Sequence, residues 1–525
     1  MFRKISKKEW LFVSIIAVIT IILVISPYLY GYLTTPKNMI FTGVTFDQDY
    51  SYFSMMEQAK EGKILFKNLY TSEDHQAIFF RPLFLGMGLF AKYAHLSNFF
   101  VFHLFKILFI LFFIFLAYKF ISIFFNEKRY RIISLIILLF SSGFGFLGDR
   151  LFGYLSTDLW IPESQTFASF FTQPHFILSQ ILILLCFILI LKKELYFALL
   201  AGLSNFILGL EHPFDLPVTL LVPLIYFIIL YFWKKENRIL NYLIYGSISI
   251  LPIIYQFWTM KFEPIAKAWN DQNILKSPEI LAWIIGYGTI IIFAIIGFTK
   301  FFKNKNTNLL FLNIWAIVNL LLLYLPVNFQ RRMSEGLHIP LTILATFGII
   351  MVYNFFDKRS IKHKIHTHIP KVAFLWIIAL SLPFTNINRI ANYFNNYAKA
   401  KSLPYYFSQD FYQAVKYFND NKISDQTILA SQKNGPFISG LTTNRVYLGF
   451  VFQTKDYFIK KDTVNWFFKN NEKISQKQEF LRKRNVQYIL YGPEEKKLGT
   501  INLNKKDFLE KVYENNSYQI YKTKS

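Results

Sequence analysis

Apolar runs of membrane-spanning length recur along most of this chain, and they constrain its fold more than any other feature. About twenty apolar residues are needed to cross about 30 Å of hydrocarbon. Eleven runs are candidates for such spans: Leu11–Tyr30, Phe99–Phe120, Ile132–Leu147, Phe176–Leu191, Leu195–Leu210, Leu216–Phe232, Ile239–Phe257, Ile280–Phe302, Leu309–Leu325, Ile339–Phe355 and Val372–Phe384. The sequence therefore predicts a polytopic α-helical membrane protein.

The composition agrees with this class. Of 525 residues, 54% are hydrophobic and 19% are aromatic, which is more apolar than an ordinary soluble domain. The net charge of +25 is carried mostly by short loops between the apolar runs and by the C-terminal tail. Membrane lipids with anionic head groups suit that distribution, so we exclude nucleic acid as a partner. The single cysteine, Cys186, rules out an internal disulfide and a cysteine-based zinc site.

Short basic loops predict the sidedness of the spans, because such loops stay in the cytoplasm. They are Glu127–Arg131, Lys192–Lys193, Lys234–Arg238, Lys300–Lys305 and Lys358–Lys364. The basic N-terminus precedes an apolar run that is longer than a signal-peptide core and lacks a small-x-small cleavage site. We therefore expect a retained anchor with a cytoplasmic N-terminus.

The alternate loops then face outward. They are Phe46–Pro82, Gly148–Pro174, Glu211–Asp215, Met260–Glu279 and Val327–His338. This alternation requires Phe79–Leu96, an apolar stretch interrupted by charged residues and glycines, to be a re-entrant or interfacial segment on the outer side.

A change of composition near Asn386 divides the chain. Residues 1–386 form the predicted transmembrane domain with an outer loop over 31–98, residues 387–404 a linker, and residues 405–525 a soluble extracytoplasmic domain. In this last part, Asp410–Asn421 has helical spacing, whereas Gln426–Ala430 and Gln487–Tyr491 have the pattern of short buried strands. The sequence predicts a small α/β domain there.

The outward loops collect carboxylates, histidines and a tandem arginine. They carry Asp47, Asp49, Glu73, Asp74 and His75 in the first loop, and Asp158, Glu163, His175, Glu211, His212, Asp215, Arg331, Arg332, Glu335 and His338 in later loops. A carboxylate near a water-poor surface can act as a general base toward a hydroxyl group. Two adjacent arginines can hold a phosphate through their planar forks. These features fit an enzyme that acts on a polyprenyl-phosphate-linked sugar.

Four segments carry a resemblance to a known superfamily. They are Asp47–Gly62 (DQDYSYFSMMEQAKEG), Asp158–Phe176 (DLWIPESQTFASFFTQPHF), Phe329–Pro340 (FQRRMSEGLHIP) and the C-terminal part with Gly435–Lys461 and YILYGPEE at Tyr488–Glu495. In this order, and with this layout of spans, the chain resembles the GT-C superfamily of membrane glycosyltransferases. The resemblance implies inverting transfer of a sugar from a polyprenyl-phosphate donor to a glycan, lipid or protein acceptor at the outer membrane face.

The same resemblance implies roles for individual residues. The catalytic base would be Asp49, with Asp47 as the second candidate. Glu163 would be the second acidic residue, orienting the acceptor or holding a divalent cation, which some members of the superfamily use and others do not. The candidate substrate-binding residues are Arg331 and Arg332 as the clamp for the donor phosphate, together with His175, His212, Glu73 and Asp158. Plain contact with lipid head groups is the alternative for the arginines, and a helix-end position is the alternative for the histidines.

Two other functions fit a chain of many spans. A transporter or flippase of lipid-linked sugars would show paired repeats and broken helices near the midplane, and we find no repeat. A polymerase or ligase of surface polysaccharide would share the spans and outer-loop arginines but not need the acidic first loop. The C-terminal domain is either a structural lid or a platform for a carbohydrate acceptor, with Tyr447, Tyr457 and Trp466 as the hint of the latter.

Overall fold

The computed structural model describes residues 5–363, 382–469 and 474–524, and most of them are helical. Contacts divide the chain into two compact units. The first contains Met1–Tyr28, Leu104–Gln256 and Leu275–Asn396, and the second contains Leu29–His103, Phe257–Ile274 and Tyr397–Ser525. The second unit thus joins the first outer loop to the C-terminal region, which the sequence assigns to different domains.

In the described part of the chain, six helices are long and apolar enough to cross a membrane. They are Lys7–Leu33, Asn98–Ile121, Lys128–Phe152 (with a break after Phe140), Pro213–Lys234, Ile239–Phe262 (with a break after Ser249) and His338–Phe355, the last continuing as a helix to His363. Three shorter apolar helices, Pro174–Ile190, Leu195–Glu211 and Thr307–Leu322, coincide with further predicted spans. The protein is a multi-pass helical membrane protein, and the count of eleven spans stays a prediction.

The predicted span Ile280–Phe302 is not one straight helix. It consists of Ile280–Tyr287 and Thr289–Lys303, which meet at an angle of 91°. Gly288 lies between them with φ +52° and ψ −129°, a conformation that a residue with a Cβ atom rarely adopts. The bend therefore depends on glycine at this position.

Two other predicted segments differ from a full span. Phe79–Leu96 contains the helix Pro82–Tyr93, whose 12 residues extend about 18 Å and are too short to cross the hydrocarbon core. Most of the predicted span Val372–Phe384 lies outside the described residues, because residues 364–381 are not among them. The same holds for Lys364 of the last basic loop.

Short helices and turns connect the longer ones. The helices are Tyr50–Lys60, Gly145–Phe152, Thr157–Trp160, Thr166–Phe171, Leu251–Phe262, Pro264–Gln272, Lys300–Asn304 and Phe384–Lys399. The 3₁₀ turns are Asp47–Asp49, Pro162–Ser164, Pro213–Asp215 and Gln330–Ser334. Most of the candidate site residues lie on these 3₁₀ turns.

The C-terminal region is a small α/β fold, as the sequence predicts. Its five-stranded sheet has the order β4-β3-β5-β7-β6, formed by β3 (Thr427–Leu429), β4 (Arg445–Val446), β5 (Tyr488–Tyr491), β6 (Leu509–Glu514) and β7 (Gln519–Thr523). The pairs of β3 with β4 and β5 are parallel, whereas β7 pairs antiparallel with β5 and β6. A separate antiparallel pair joins β1 (Met39–Phe41) to β2 (Tyr406–Ser408).

Helices pack against this sheet through apolar faces. In Gln409–Asp420 the buried residues Phe411, Ala414, Val415 and Phe418 recur at the spacing of one helical face. The Ser408 hydroxyl accepts a hydrogen bond from the Phe411 amide, which caps the helix N-terminus. The other helices of this region are Gly435–Leu441, Tyr457–Phe468, Ile474–Lys483 and Pro493–Lys496, with a 3₁₀ turn at Leu503–Lys505. The predicted helix over Asp410–Asn421 and both predicted strands are confirmed.

Candidate functional site

In the first unit, three of the 3₁₀ turns bring candidate residues from distant parts of the chain together. Glu163 lies on Pro162–Ser164, Asp215 ends Pro213–Asp215, and Arg331 and Arg332 lie on Gln330–Ser334. The third turn contacts each of the other two. We call Glu163, Asp215, Arg331, Arg332 and Glu335 the loop cluster.

The centre of the loop cluster is an ion pair. Arg332 Nη1 lies 3.1 Å from Glu163 Oε1, and Glu163 is only 3% exposed. The Arg332 guanidinium also lies over the rings of Phe176 and Phe214, at 5.5 and 6.0 Å from their centroids. Burial and charge-assisted hydrogen bonding make such a pair geometrically well defined.

Arg331 lies beside this pair, and it forms no ion pair with a carboxylate of the described residues. Its guanidinium carbon is 4.7 Å from the centroid of the Trp160 ring. Burial lowers the pKa of Arg331, and the neighbouring Arg332 adds to that effect while Glu163 opposes it. The Nε atoms of Arg331 and Arg332 are both buried and have no hydrogen-bond partner among the described residues. The two guanidinium groups therefore keep donors that an anion could use.

Glu335 is a member of the cluster that the candidate residues named from the sequence did not include. Its side chain is 1% exposed, and neither carboxylate oxygen has a hydrogen-bond partner within normal distance in the described part of the chain. Burial raises the pKa of Glu335 well above its ordinary value, and the charges of Asp215 and Glu163 raise it further, whereas Gln180 and Arg332 oppose the shift. Its neutral acid form is favoured. An acid three residues after a tandem arginine was the available sequence signal.

The two candidate histidines border this cluster. His212 Nδ1 is 3.0 Å from Asp215 Oδ2, so the carboxylate orients the imidazole. The rings of His175 and His212 are 5.9 Å apart, and both side chains are buried. His212 Nε2 has no hydrogen-bond partner among residues that the structure describes. Substrate binding by these histidines stays a prediction.

Asp158, a candidate substrate-binding residue, has its carboxylate hydrogen-bonded to neighbouring parts of the fold. Its carboxylate accepts hydrogen bonds from the amides of Gly143 and Gly145, at 3.1 and 3.2 Å, and from the Ser156 hydroxyl at 2.5 Å. Burial raises the pKa of Asp158, although these hydrogen bonds and Arg389 favour the charged form. Its contacts organise the turn after Phe140, and substrate binding by this residue stays a prediction without geometric support.

The first-loop acids belong to the second unit. Asp47 and Asp49 form a 3₁₀ turn that leads into the helix Tyr50–Lys60. Asp47 is exposed, and its Oδ1 accepts a hydrogen bond from the Gln48 amide at 2.8 Å. Asp49 is 1% exposed and lies at the N-terminus of the helix, where the backbone dipoles favour a negative charge. The two candidates for the base therefore have different environments.

Glu73 pairs with a residue of the C-terminal region. Lys460 Nζ lies 2.7 Å from Glu73 Oε2, and the Thr71 hydroxyl donates to the same oxygen. Burial raises the pKa of Glu73, but the Lys460 charge and the hydrogen bonds from Lys460 and Thr71 together hold the pKa below its ordinary value. These contacts indicate a role in joining the first loop to the C-terminal region.

We expect Glu73→Gln to lower the free energy of unfolding by about 1.5–3 kcal/mol, the contribution of a charged hydrogen bond. Because the pKa of Glu73 is depressed in the folded state, this contribution is present at neutral pH and is lost as the pH falls through that pKa. The apparent melting temperatures of the protein and the variant should therefore converge in acid. Asp74→Asn is the matched control, since the ion pair of Asp74 with Arg445 involves a side chain that is nearly fully exposed. A large effect of Glu73→Gln on substrate KM with unchanged stability would contradict this.

The three aromatic residues that hinted at a carbohydrate platform lie in or against a hydrophobic core. Tyr447 and Tyr457 are buried in it with Val464, and Trp466 packs against it. Their rings take part in packing within the domain, and the role of a carbohydrate platform stays a prediction.

Ligands for a metal are not gathered at any point in the described ranges. Among residues 5–363, 382–469 and 474–524, no three His, Cys, Asp or Glu side chains are placed to hold a metal ion. The divalent cation that the resemblance leaves open therefore has no ligand set assigned to it.

Comparison with known proteins identifies the fold. No protein-family model and no curated protein matches the sequence. Among solved structures, the apo oligosaccharyltransferase of Archaeoglobus fulgidus matches with a TM-score of 0.54 and 12% identity, over 93% of this chain and 70% of that chain. ArnT from Cupriavidus metallidurans, bound to undecaprenyl phosphate, matches with a TM-score of 0.54 and 9% identity over 98% of both chains. The chain has the GT-C fold.

A third GT-C glycosyltransferase, the arabinofuranosyltransferase AftD from Mycobacteria, matches with a TM-score of 0.52 and 10% identity. The match covers 100% of this chain and 42% of AftD. The structural neighbours of this chain are thus GT-C glycosyltransferases, as the motifs in its outer loops predict. At these identities the likeness concerns the fold alone.

Proposed function

We propose that this protein transfers a sugar from a polyprenyl-phosphate-linked donor to an acceptor at the outer face of the membrane. The GT-C fold supports the general class. Two of the matched proteins were solved with a lipid phosphate: ArnT with undecaprenyl phosphate and the archaeal oligosaccharyltransferase AglB with dolichol-phosphate and an inhibitory peptide. The acceptor class proposed from these facts is a glycan, a lipid or a protein.

The arrangement of Arg331 and Arg332 is the observation that carries the proposal. Arg332 pairs with one buried carboxylate, that of Glu163. The Nε–H groups of Arg331 and Arg332 are buried and have no hydrogen-bond partner among the described residues. A phosphate oxygen would satisfy such donors, because planar guanidinium forks match phosphate geometry. Glu163 then acts as the residue that holds Arg332 in place before the donor binds.

The chemistry follows as one displacement with inversion. The carboxylate of Asp49 takes the proton of an acceptor hydroxyl, and the acceptor oxygen forms a bond to the anomeric carbon of the sugar. The bond from that carbon to the phosphate oxygen breaks, and its electron pair leaves with the polyprenyl phosphate. Arg331 and Arg332 stabilise the negative charge that grows on the departing phosphate.

One observation would also suit a transporter, because the helix pair at Gly288 is broken and transporters often bind substrate at such breaks. Here the side-chain amide of Gln165 donates to the Gly286 carbonyl at 2.8 Å, and the Tyr287 hydroxyl donates to the Ser164 carbonyl. The Gly286 carbonyl and the Tyr287 hydroxyl at the break are thus bonded within the protein itself, which favours the enzyme.

A panel of radiolabelled polyprenyl-phosphate sugars, each incubated with the purified protein and a lipid and glycan extract of cell envelopes, tests the proposal. We expect label from one donor to move onto an acceptor. The Asp49→Asn variant serves as the negative control for transfer by the protein. Lack of transfer from every donor, together with transport of an intact donor across proteoliposomes, would favour the transporter.

The localisation proposed is a cytoplasmic N-terminus and an extracytoplasmic C-terminal domain. Basic short loops, including Lys234–Arg238, support this orientation. We expect reporter fusions at Lys235 and at Tyr405 to report opposite sides of the membrane. Fusions that report the same side would overturn the map and would remove the first-loop acids from the outer face.

A further inference from the structure

A cavity of about 590 Å³ lies within the second unit, and Asp47 of the first loop is part of its lining. Three segments of the chain form most of its wall. They are the first loop at Thr45–Asp47, the segment Lys401–Ser408, and the start of the helix Gly435–Leu441 with the preceding Gln432 and Lys433. The volume falls within the range of about 300–1,000 Å³ that is typical of small-molecule sites. We call it the first-loop cleft.

The charged groups of the first-loop cleft are largely compensated. Lys433 Nζ lies 3.4 Å from Glu494 Oε2. Lys401 donates to the Tyr397 carbonyl at 2.7 Å and to the Tyr406 hydroxyl at 3.0 Å. Because the lining holds two lysines and two carboxylates, Asp47 and Glu494, it has no excess of positive charge for a phosphate. A neutral ligand suits it better than an anion.

The remaining lining combines small polar groups with apolar surfaces. Thr45, Ser402, Ser408 and Gln432 supply hydroxyl and amide groups, which can both donate and accept hydrogen bonds. Phe46 is 42% exposed and contributes its aromatic ring to the same lining. A sugar has the matching surface, because its ring carries hydroxyl groups around an edge and C–H groups on its faces.

Main-chain recognition of a peptide is less well supported by this lining. Pro404 and Pro436 lack an N–H group, and the Tyr406 amide already donates to the Ser402 carbonyl at 3.0 Å. An extended peptide that adds a strand needs a row of free backbone donors and acceptors. The side chains, rather than the backbone, are what the cleft presents.

We infer that the first-loop cleft binds the acceptor as a neutral oligosaccharide, with Phe46 stacking on a sugar ring and Gln432 bonding to its hydroxyl groups. This inference rests on the proposed function, because only an acceptor needs to reach the first-loop base. Asp47 lies on the wall of the cleft, and Asp49 follows it by two residues in the same 3₁₀ turn. A saccharide in the cleft would therefore contact the turn that carries the proposed base.

Saturation-transfer NMR on the full-length protein in nanodiscs tests the inference without any donor. The probes are maltotriose and chitotriose, with a peptide containing Asn-Val-Thr as the competing class. We expect one of the saccharides to bind and the affinity to fall at least tenfold in Phe46→Ala and in Gln432→Ala. The matched controls are Phe458→Ala and Gln478→Ala, which remove the same side chains at exposed positions of the same unit outside the cleft lining and should bind as the unchanged protein does.

Three outcomes overturn the inference: neither saccharide binds, binding is the same in the cleft variants and the controls, or the peptide alone binds. Retained melting temperatures in Phe46→Ala and Gln432→Ala show that the variants are folded. The transfer assay separates the two proposals. If the cleft variants do not affect sugar transfer, the proposed function stands and this acceptor site is wrong. If a saccharide binds but no donor supports transfer, the site stands and the proposed function is wrong.

Discussion

We expect the replacement of Asp49 by Asn to lower turnover by about 10²–10⁴-fold, the usual contribution of a positioned general base. The substitution is nearly isosteric and removes the charge. Asp49 is the buried member of the first-loop acid pair, and the exposed Asp47 is in contact with its own turn through the Gln48 amide. We therefore expect Asp47→Asn to cost much less. The measurement is the rate of transfer from the donor that the panel identifies, at saturating donor.

The two variants control each other, because Asp and Asn cap helix N-termini about equally well and neither change should unfold the turn. Donor binding should survive in both. If Asp47→Asn is inactive and Asp49→Asn is active, the base is Asp47 and the mechanism stands. If both variants keep full activity with an established donor, the first loop is not the catalytic centre.

The second large effect is expected at Arg332. Arg332→Lys keeps the positive charge but loses the planar fork that contacts Glu163 and would contact phosphate. Loss of one charged hydrogen bond costs about 1.5–3 kcal/mol, so donor affinity should fall about 10- to 100-fold. Arg331→Lys should weaken donor binding as well, because it removes both the planar guanidinium and its stacking on Trp160. The measurement is the dissociation constant of a polyprenyl phosphate in nanodiscs.

Arg129→Lys is the matched control for these variants. Arg129 is an exposed arginine that also pairs with a glutamate, Glu127, but lies in a loop predicted to be cytoplasmic. The Arg129→Lys variant should leave donor binding unchanged. Unchanged donor binding in Arg331→Lys and in Arg332→Lys would reduce both residues to contacts with lipid head groups.

The loop cluster explains why separate outer loops of the chain carry polar residues of such different kinds. The buried carboxylate of Glu163 pairs with Arg332, and the carboxylate of Asp215 orients the His212 ring. Glu335 adds a third carboxyl group whose neutral form is favoured by burial. A phosphate that enters next to three carboxyl groups is tolerated more easily when one of them is neutral.

Several elements could be predicted from residues close together in the chain. The helix Gln409–Asp420 and the strands β3 and β5 follow from local spacing of apolar residues. The order of the strands in the sheet could not be predicted in this way. β3 lies between β4 and β5, although β4 and β5 are separated from each other by two helices, Tyr457–Phe468 and Ile474–Lys483.

The bend at Gly288 shows a limit of hydropathy. An apolar run of span length is the same whether its helix is straight or broken, because transfer to lipid depends on composition. The Gly286-Tyr287-Gly288 sequence permits the bend. Packing selects it: a Cβ atom at Gly286 would lie within 2.0 Å of the Thr157 hydroxyl oxygen, and the Phe144 amide donates to the Ile285 carbonyl.

The sequence by itself determined the class of this protein and the kinds of residue at its outer loops, since hydrophobicity, loop charge and motif order are properties of short stretches. Tertiary structure alone decided which of those residues are available. Glu73 is bound to Lys460, 387 residues away, and Asp158 is held by the amides of a turn, whereas Glu335 has neither oxygen paired among the described residues. Availability depends on contacts between distant segments, because a buried polar group is free for a ligand only where the fold leaves it without a partner.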